Sequence, residues 1–187
     1  MFISPQEILD IVIMTFAVGY IFSGLFKRQP AEDYDPLTYY QKSSFWEDLK
    51  YSAMIAAPAI VLHELSHKFV AMGFGAQATL HAPYYMYAFV IFLKLINFPL
   101  LFFVGGYVSH TLLLPLPSAL VAIAGPLTNL VIWLLCILLI KNKLVNRKHY
   151  RMVGLMGKLN MFLFIFNMLP VPGFDGFNFF ASLIKLL

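Results

Sequence analysis

Five residues constrain this chain more than any others: His63-Glu64-Leu65-Ser66-His67, set inside an apolar run that reads as a helix. Residues four apart lie on one helical face, so the two imidazoles present to the same point in space. Such a pair is a natural grip for a divalent cation, and Glu64 beside it can act as general base on a metal-bound water. A charged group at the centre of a bilayer costs about 2.5–3.5 kcal/mol on insertion scales. Three ionisable groups within five positions of an apolar segment therefore demand a compensating role.

The apolar setting extends to the whole chain. Of 187 residues, 60% are hydrophobic and 12% charged, about half the ~25% charged content of soluble domains. The chain reads as an all-α polytopic membrane protein with about four transmembrane helices, integral to the cell membrane, and as one transmembrane domain over residues 1–187. Aromatic residues make up 17%, which suits lipid-facing and interfacial positions. The net charge of +4 belongs to loops and speaks for topology rather than nucleic-acid binding. Cys136 stands alone, which excludes a disulfide within the chain and a cysteine-based metal site. The first apolar run lacks a basic lead and a small-residue cleavage site, so it is expected to stay as a span.

The expected spans are Ile8–Phe26, Tyr51–Phe74, Ser118–Ile140 and a last one beginning at Leu159–Leu169. Lys27–Lys50 reads as an exposed loop with an amphipathic lead-in at Phe45–Leu49, and Gly73 and Gly75 end the second span. Between the second and third spans, Ala88–Ile96 reads as a short helix and Leu100–Val108 as extended, re-entrant chain. Such backbone is tolerated at membrane depth only when protein or a cavity surrounds it. Lys141–Lys158 reads as a basic loop. Pro170, Pro172 and Gly173 break the last span before a short helix, Phe177–Leu187.

Catalytic zinc sites use three protein ligands and keep one position for water. The other acidic residues (Glu7, Asp10, Glu32, Asp33, Asp35, Glu47, Asp48) lie in or near expected loops. Asp175 alone falls deep in an apolar context, just after the helix break, and is the expected third ligand; capping of the following helix is its other possible role. The alternative for His63 and His67 is hydrogen bonding to neighbouring helices, with Glu64 neutral or paired to Lys68.

Three motifs occur in order on three spans: His63-Glu64-Leu65-Ser66-His67, Ala124-Gly125-Pro126-Leu127-Thr128-Asn129, and Asn167-Met168-Leu169-Pro170-Val171-Pro172-Gly173-Phe174-Asp175-Gly176. Together they resemble the site-2 protease family of intramembrane zinc metalloproteases, over roughly residues 52–183. Phe174 stands where the family usually has Leu, Tyr84–Ile96 looks like an insertion, and the chain has no PDZ or CBS domain. The resemblance implies one Zn²⁺ per chain held by His63, His67 and Asp175, with Glu64 as catalytic base. It implies that a β-like segment, here Leu100–Val108 with Gly105 and Gly106, holds a substrate strand through main-chain hydrogen bonds. It also places Asn167 and Asn129 at the catalytic region, where either is a candidate oxyanion donor.

Each of those residues has a plainer reading. Asn129 would serve as an interhelical hydrogen bond near the Gly125-Pro126 kink, Asn167 as a partner for backbone freed at Pro170, and Gly105-Gly106 as a close backbone approach. His81 and His110 read as interfacial or hydrogen-bonded histidines, and Lys68 as a side chain snorkelling to the interface. The implied partners are a transmembrane protein substrate and the lipid bilayer, with no nucleic acid. A non-catalytic metal-binding membrane protein or transporter is the rival reading; the intact Glu64 and the lack of repeats speak against it. Basic residues favour the cytoplasm. With four spans, Lys27–Lys50 and Lys141–Lys158 fall on one side and the site nearer the other, whereas the resemblance implies a site nearer the cytoplasm. Orientation stays open at this point.

Overall fold

A computed structural model describes residues 2–26, 45–98 and 105–187. Among these, the chain forms α1 (Pro5–Phe22), α2 (Phe45–Gly73), β1 (Ala78–His81), α3 (Tyr84–Leu95), β2 (Tyr107–His110), α4 (Pro115–Lys141), α5 (Tyr150–Asn167) and α6 (Asp175–Ile184), with a 3-10 turn at Arg147–His149. The chain is mostly helical, and two of its helices, α1 and α4, are long and apolar enough to cross a membrane.

Helix α1 starts on a capping box. Ser4 accepts from the Glu7 N–H, and the Glu7 carboxylate accepts from the Ser4 N–H at 2.7 Å. Its buried residues, Glu7, Asp10, Met14, Ala17, Val18 and Ile21, recur every three or four positions. They therefore form one stripe, and it packs on α2. A Cβ on Gly19 would lie 2.8 Å from the Ala53 Cβ, so glycine sets how closely these helices approach. Glu7 and Asp10 are thus buried helical residues, not loop-associated acids as the sequence suggested; the helix starts at Pro5, ahead of both, and both lie on its packed face.

Helix α2 is continuous for 29 residues. The expected lead-in at Phe45–Leu49 is its first turns, while residues 27–44 of the expected first loop lie outside the described residues. Gly75, at φ +80°, turns the chain out of α2, with Ala76 N–H bonding back to the Ala71 carbonyl at 3.1 Å. The chain then runs into β1, which pairs antiparallel with β2 in the register Thr79↔Ser109 and Leu80↔Val108.

Helix α3 lies between these strands. Its 12 residues reach about 18 Å at 1.5 Å each, short of the ~30 Å hydrocarbon core. A strand at Ala78–His81 was not expected. The expected extended stretch Leu100–Val108 is seen only from Gly105, because residues 99–104 lie outside the described set. Among the described residues, β2 has β1 on one edge and no strand on the other.

Helix α4 is the central element, packing against α2, α5 and α6. It turns Ala119, Ala122, Gly125, Pro126, Asn129 and Cys136 inward, while Leu127, Val131, Leu134 and Leu138 are exposed along one outer face. An exposed apolar stripe on a helix this long suits contact with hydrocarbon rather than water. The expected basic loop is shorter than the charges suggested. Helix α5 begins at Tyr150, so Arg151 and Lys158 are helical, and the basic connection is confined to residues 142–149. Asn146 anchors that connection by accepting from the Lys148 N–H.

Candidate metal centre

Helix α2 delivers His63, Glu64 and His67, all at most 7% exposed. Asp175 reaches them from the far end of the chain. After α5 ends at Asn167, the turn through Pro170-Val171-Pro172 closes on Gly173, at φ +99°. Helix α6 then starts with Phe174 as N-cap and Asp175 in its first turn. The N-cap Phe174 makes no side-chain cap, and the Asp175 carboxylate points at the imidazoles. Gly176 fixes this placement, because a Cβ there would run into the Met168 carbonyl.

Three donor atoms converge. His63 Nε2 lies 3.0 Å from Asp175 Oδ2 and 3.1 Å from His67 Nε2, and His67 Nε2 lies 3.4 Å from Asp175 Oδ2. The other ring nitrogens are committed elsewhere. His63 Nδ1 donates to Asn129 Oδ1 at 2.5 Å, and His67 Nδ1 donates to the Val121 carbonyl at 2.7 Å. With Nδ1–H fixed by these acceptors, each Nε2 presents a lone pair. Two imidazole lone pairs and a carboxylate oxygen therefore face one another, and the group holds together only around a positive centre, an added proton or a cation.

The residues fit a zinc ion. Tetrahedral bonds of about 2.0–2.1 Å give ligand-to-ligand edges of about 3.3 Å, close to the three edges here. Gly125 supplies the space: a Cβ there would lie 2.5 Å from His63 Nε2 and closer still to His67 Nε2. That cradle is why the Gly125 position of α4 has no side chain. Among the described residues this is the one grouping of His, Cys, Asp and Glu able to hold a metal.

Glu64 lies beside the cluster, and the Gly106 N–H faces its carboxylate. A Cβ on Gly106 would come within 2.8 Å of Met14 Cε, 3.1 Å of Glu64 Cγ and 3.2 Å of the His81 carbonyl. Gly106 is thus a close backbone approach between α1, α2 and β1, and Gly105 O accepts from the Tyr87 hydroxyl at 3.2 Å. His63, Glu64, His67, Gly105, Gly106, Asn167 and Asp175 all border one cavity of about 610 Å³.

Other expected roles change. Asn129 is fully buried, and its amide donates to the Ala59 carbonyl at 2.9 Å and to Asn160 Oδ1 at 2.8 Å. Both its donors are used and its oxygen holds His63, so the interhelical role replaces that of an oxyanion donor. Lys68 does not snorkel: it is 1% exposed and paired with Glu7. That also removes it as a partner of Glu64. His81 hydrogen-bonds Ser109 Oγ at 2.9 Å, and His110 Nδ1 donates to the Thr111 carbonyl at 2.9 Å; neither joins the metal group, although His110 borders the cavity. Asn160 and the space above Gly125 escaped the sequence reading. The Ala124–Asn129 motif held the signal for Gly125, and Asn160 had none beyond being an amide in an apolar helix.

Two helix-borne imidazoles and a distant carboxylate form a grouping able to hold a metal, with a glutamate beside it in the HExxH pattern that zinc metalloproteases use. The comparison with known proteins agrees. The chain is 31% identical over 177 residues to a protein of Methanocaldococcus jannaschii named "Putative zinc metalloprotease", covering 92% of this chain and 82% of that one. The chain belongs to that zinc metalloprotease family. No family model matches it, and no solved structure does.

Proposed function

We propose that this protein is an intramembrane zinc endopeptidase of the site-2 protease kind, with four membrane-spanning helices, which hydrolyses a peptide bond in or near a transmembrane segment of a membrane protein. The observation that carries this is the convergence of His63 Nε2, His67 Nε2 and Asp175 Oδ2 from α2 and α6, around a space kept free by Gly125, in helices whose outer faces are apolar.

His63, His67 and Asp175 would hold the zinc, which when bound would polarise the scissile carbonyl and lower the pKa of its water to about 7. Glu64 takes the proton of the attacking water and passes it to the departing amide nitrogen. Its side chain packs against the Gly106 backbone. Asn167 borders the same cavity and, with Asn129 committed to His63, is a side-chain amide available to the developing oxyanion. The substrate lies extended along the edge of β2, Tyr107–His110, that pairs with no strand among the described residues, where main-chain groups bond to it as to an added strand. An extended substrate exposes the scissile carbonyl that a helix would keep bonded.

The test uses purified full-length protein and a single-span reporter substrate in detergent or liposomes. Wild type should hold about one zinc and cleave. Glu64→Gln should keep the zinc and lose cleavage by about 10²–10⁴-fold, the usual worth of a positioned general base. Equal cleavage by wild type and Glu64→Gln would overturn the mechanism; zinc binding with no cleavage by either would favour a non-catalytic metal-binding protein.

A further inference from the structure

We infer that Asn160, on α5 and out of reach of the metal cluster, is a positioning residue that selects the proton tautomer of His63 through Asn129. This rests on the zinc-site reading above. Asn160 is fully buried, and its amide nitrogen donates to the Met156 carbonyl at 2.8 Å. A carbonyl only accepts, so this bond fixes which end of the Asn160 side chain is nitrogen and turns Oδ1 towards Asn129. Asn129 then donates one amide hydrogen to Asn160 Oδ1 and the other to the Ala59 carbonyl. With both hydrogens placed, Asn129 Oδ1 faces His63, and the 2.5 Å bond there requires Nδ1–H on the ring.

The chain from Met156 to His63 thus runs in one direction across α5, α4 and α2. Its output is a bare lone pair at Nε2, the atom facing Asp175. A 180° rotation of the Asn129 amide would reverse that output. Nitrogen would then face His63 Nδ1, which would have to accept, and the ring proton would move to Nε2, where a metal must bind. Two acceptors oppose the rotation, Ala59 O and Asn160 Oδ1; removing Asn160 removes one and leaves a buried amide hydrogen without a partner. His67 has no such switch, because a backbone carbonyl is its acceptor.

The experiment compares wild type, Asn160→Leu and Asn160→Asp as full-length protein in detergent. Zinc affinity is read by competition with a chromophoric chelator, and the His63 tautomer by ¹⁵N NMR of metal-free protein. Outer partners of ligating histidines are worth about 10–100-fold in metal affinity. Asn160→Leu should weaken zinc about tenfold and show a mixture of Nδ1–H and Nε2–H at His63. Asn160→Asp, which as a neutral acid can donate to Met156 O and accept from Asn129, should stay within threefold of wild type with a single Nδ1–H form. A loss below threefold in Asn160→Leu, an unchanged tautomer in that variant, or equal losses in both variants would overturn the inference, the last by showing a packing role. The NMR measurement needs no metal, so a wild type that binds no zinc would sink the zinc-site reading and leave the tautomer test standing.

Discussion

Two polar clusters sit side by side on α2, and they are built on opposite principles. At Lys68, the ammonium is paired with Glu7, whose carboxylate also accepts from Ser4 N at 2.7 Å and Leu80 N at 2.9 Å. Donors match acceptors, the charges cancel, and the cluster is closed. One residue earlier, at His67, three acceptor atoms face one another beside a cavity. A closed cluster ties α1, α2 and β1 together; the open one can bind something. The lesson concerns how to read buried ionisable groups: burial alone does not separate a strut from a site, but the balance of donors and acceptors does.

Removing an open-cluster ligand should have the largest effect. Asp175→Ala should abolish stoichiometric zinc and reduce cleavage to background, measured by metal analysis and a reporter substrate; full zinc retention would break the contrast at its centre. Gly125→Ala should come next. Alanine favours the helix by about 1 kcal/mol over glycine, yet its Cβ would occupy the space facing both Nε2 atoms. Zinc should be lost from a protein whose helical signal by circular dichroism is unchanged.

The closed cluster should respond in stability instead. Lys68→Met leaves Glu7 buried without its partner and should cost about 3–5 kcal/mol in denaturant unfolding in detergent. Adding Glu7→Gln should recover most of that loss, and both variants should keep about one zinc per folded chain. Loss of zinc from a stably folded Lys68→Met protein would merge the two clusters into one. The smallest effect is expected at Tyr84, whose hydroxyl bonds Asp10 at the edge of the closed region. Tyr84→Phe should barely move the unfolding midpoint, because this residue is exposed to solvent, and leave cleavage unchanged.

The open cluster was far more legible in the sequence than the closed one. His63 and His67 announce themselves because helical geometry turns a spacing of four into a shared face, and Asp175 because proline and glycine interrupt an otherwise apolar segment just before it. Lys68 and Glu7 carry no spacing signal: they are 61 residues apart on different helices and meet only once α1 docks. Glu7 near a chain end and Arg151 near a basic connection both read as loop charges, since a helix that starts at a polar boundary looks like a loop until its packed face is known. The strand at Ala78–His81 is four residues long, too short to show an alternation. Asn160 illustrates the limit from the other side, because its partners Asn129 and Met156 are fixed by packing and by a carbonyl, not by any neighbouring side chain in sequence.

The distance along the chain between His63 and Asp175 has a consequence for biosynthesis. The two are 112 residues apart, and translation adds about 5–20 residues per second. On the proposed ligation, a newly made α2 carries the general base and two of its three ligands for about 6–20 s before the last can arrive. During that interval, on the proposed membrane location, the nascent chain would sit among other proteins with its hydrolytic centre unassembled. Delivering the decisive ligand late makes the emerging protease harmless until its own helices have been made.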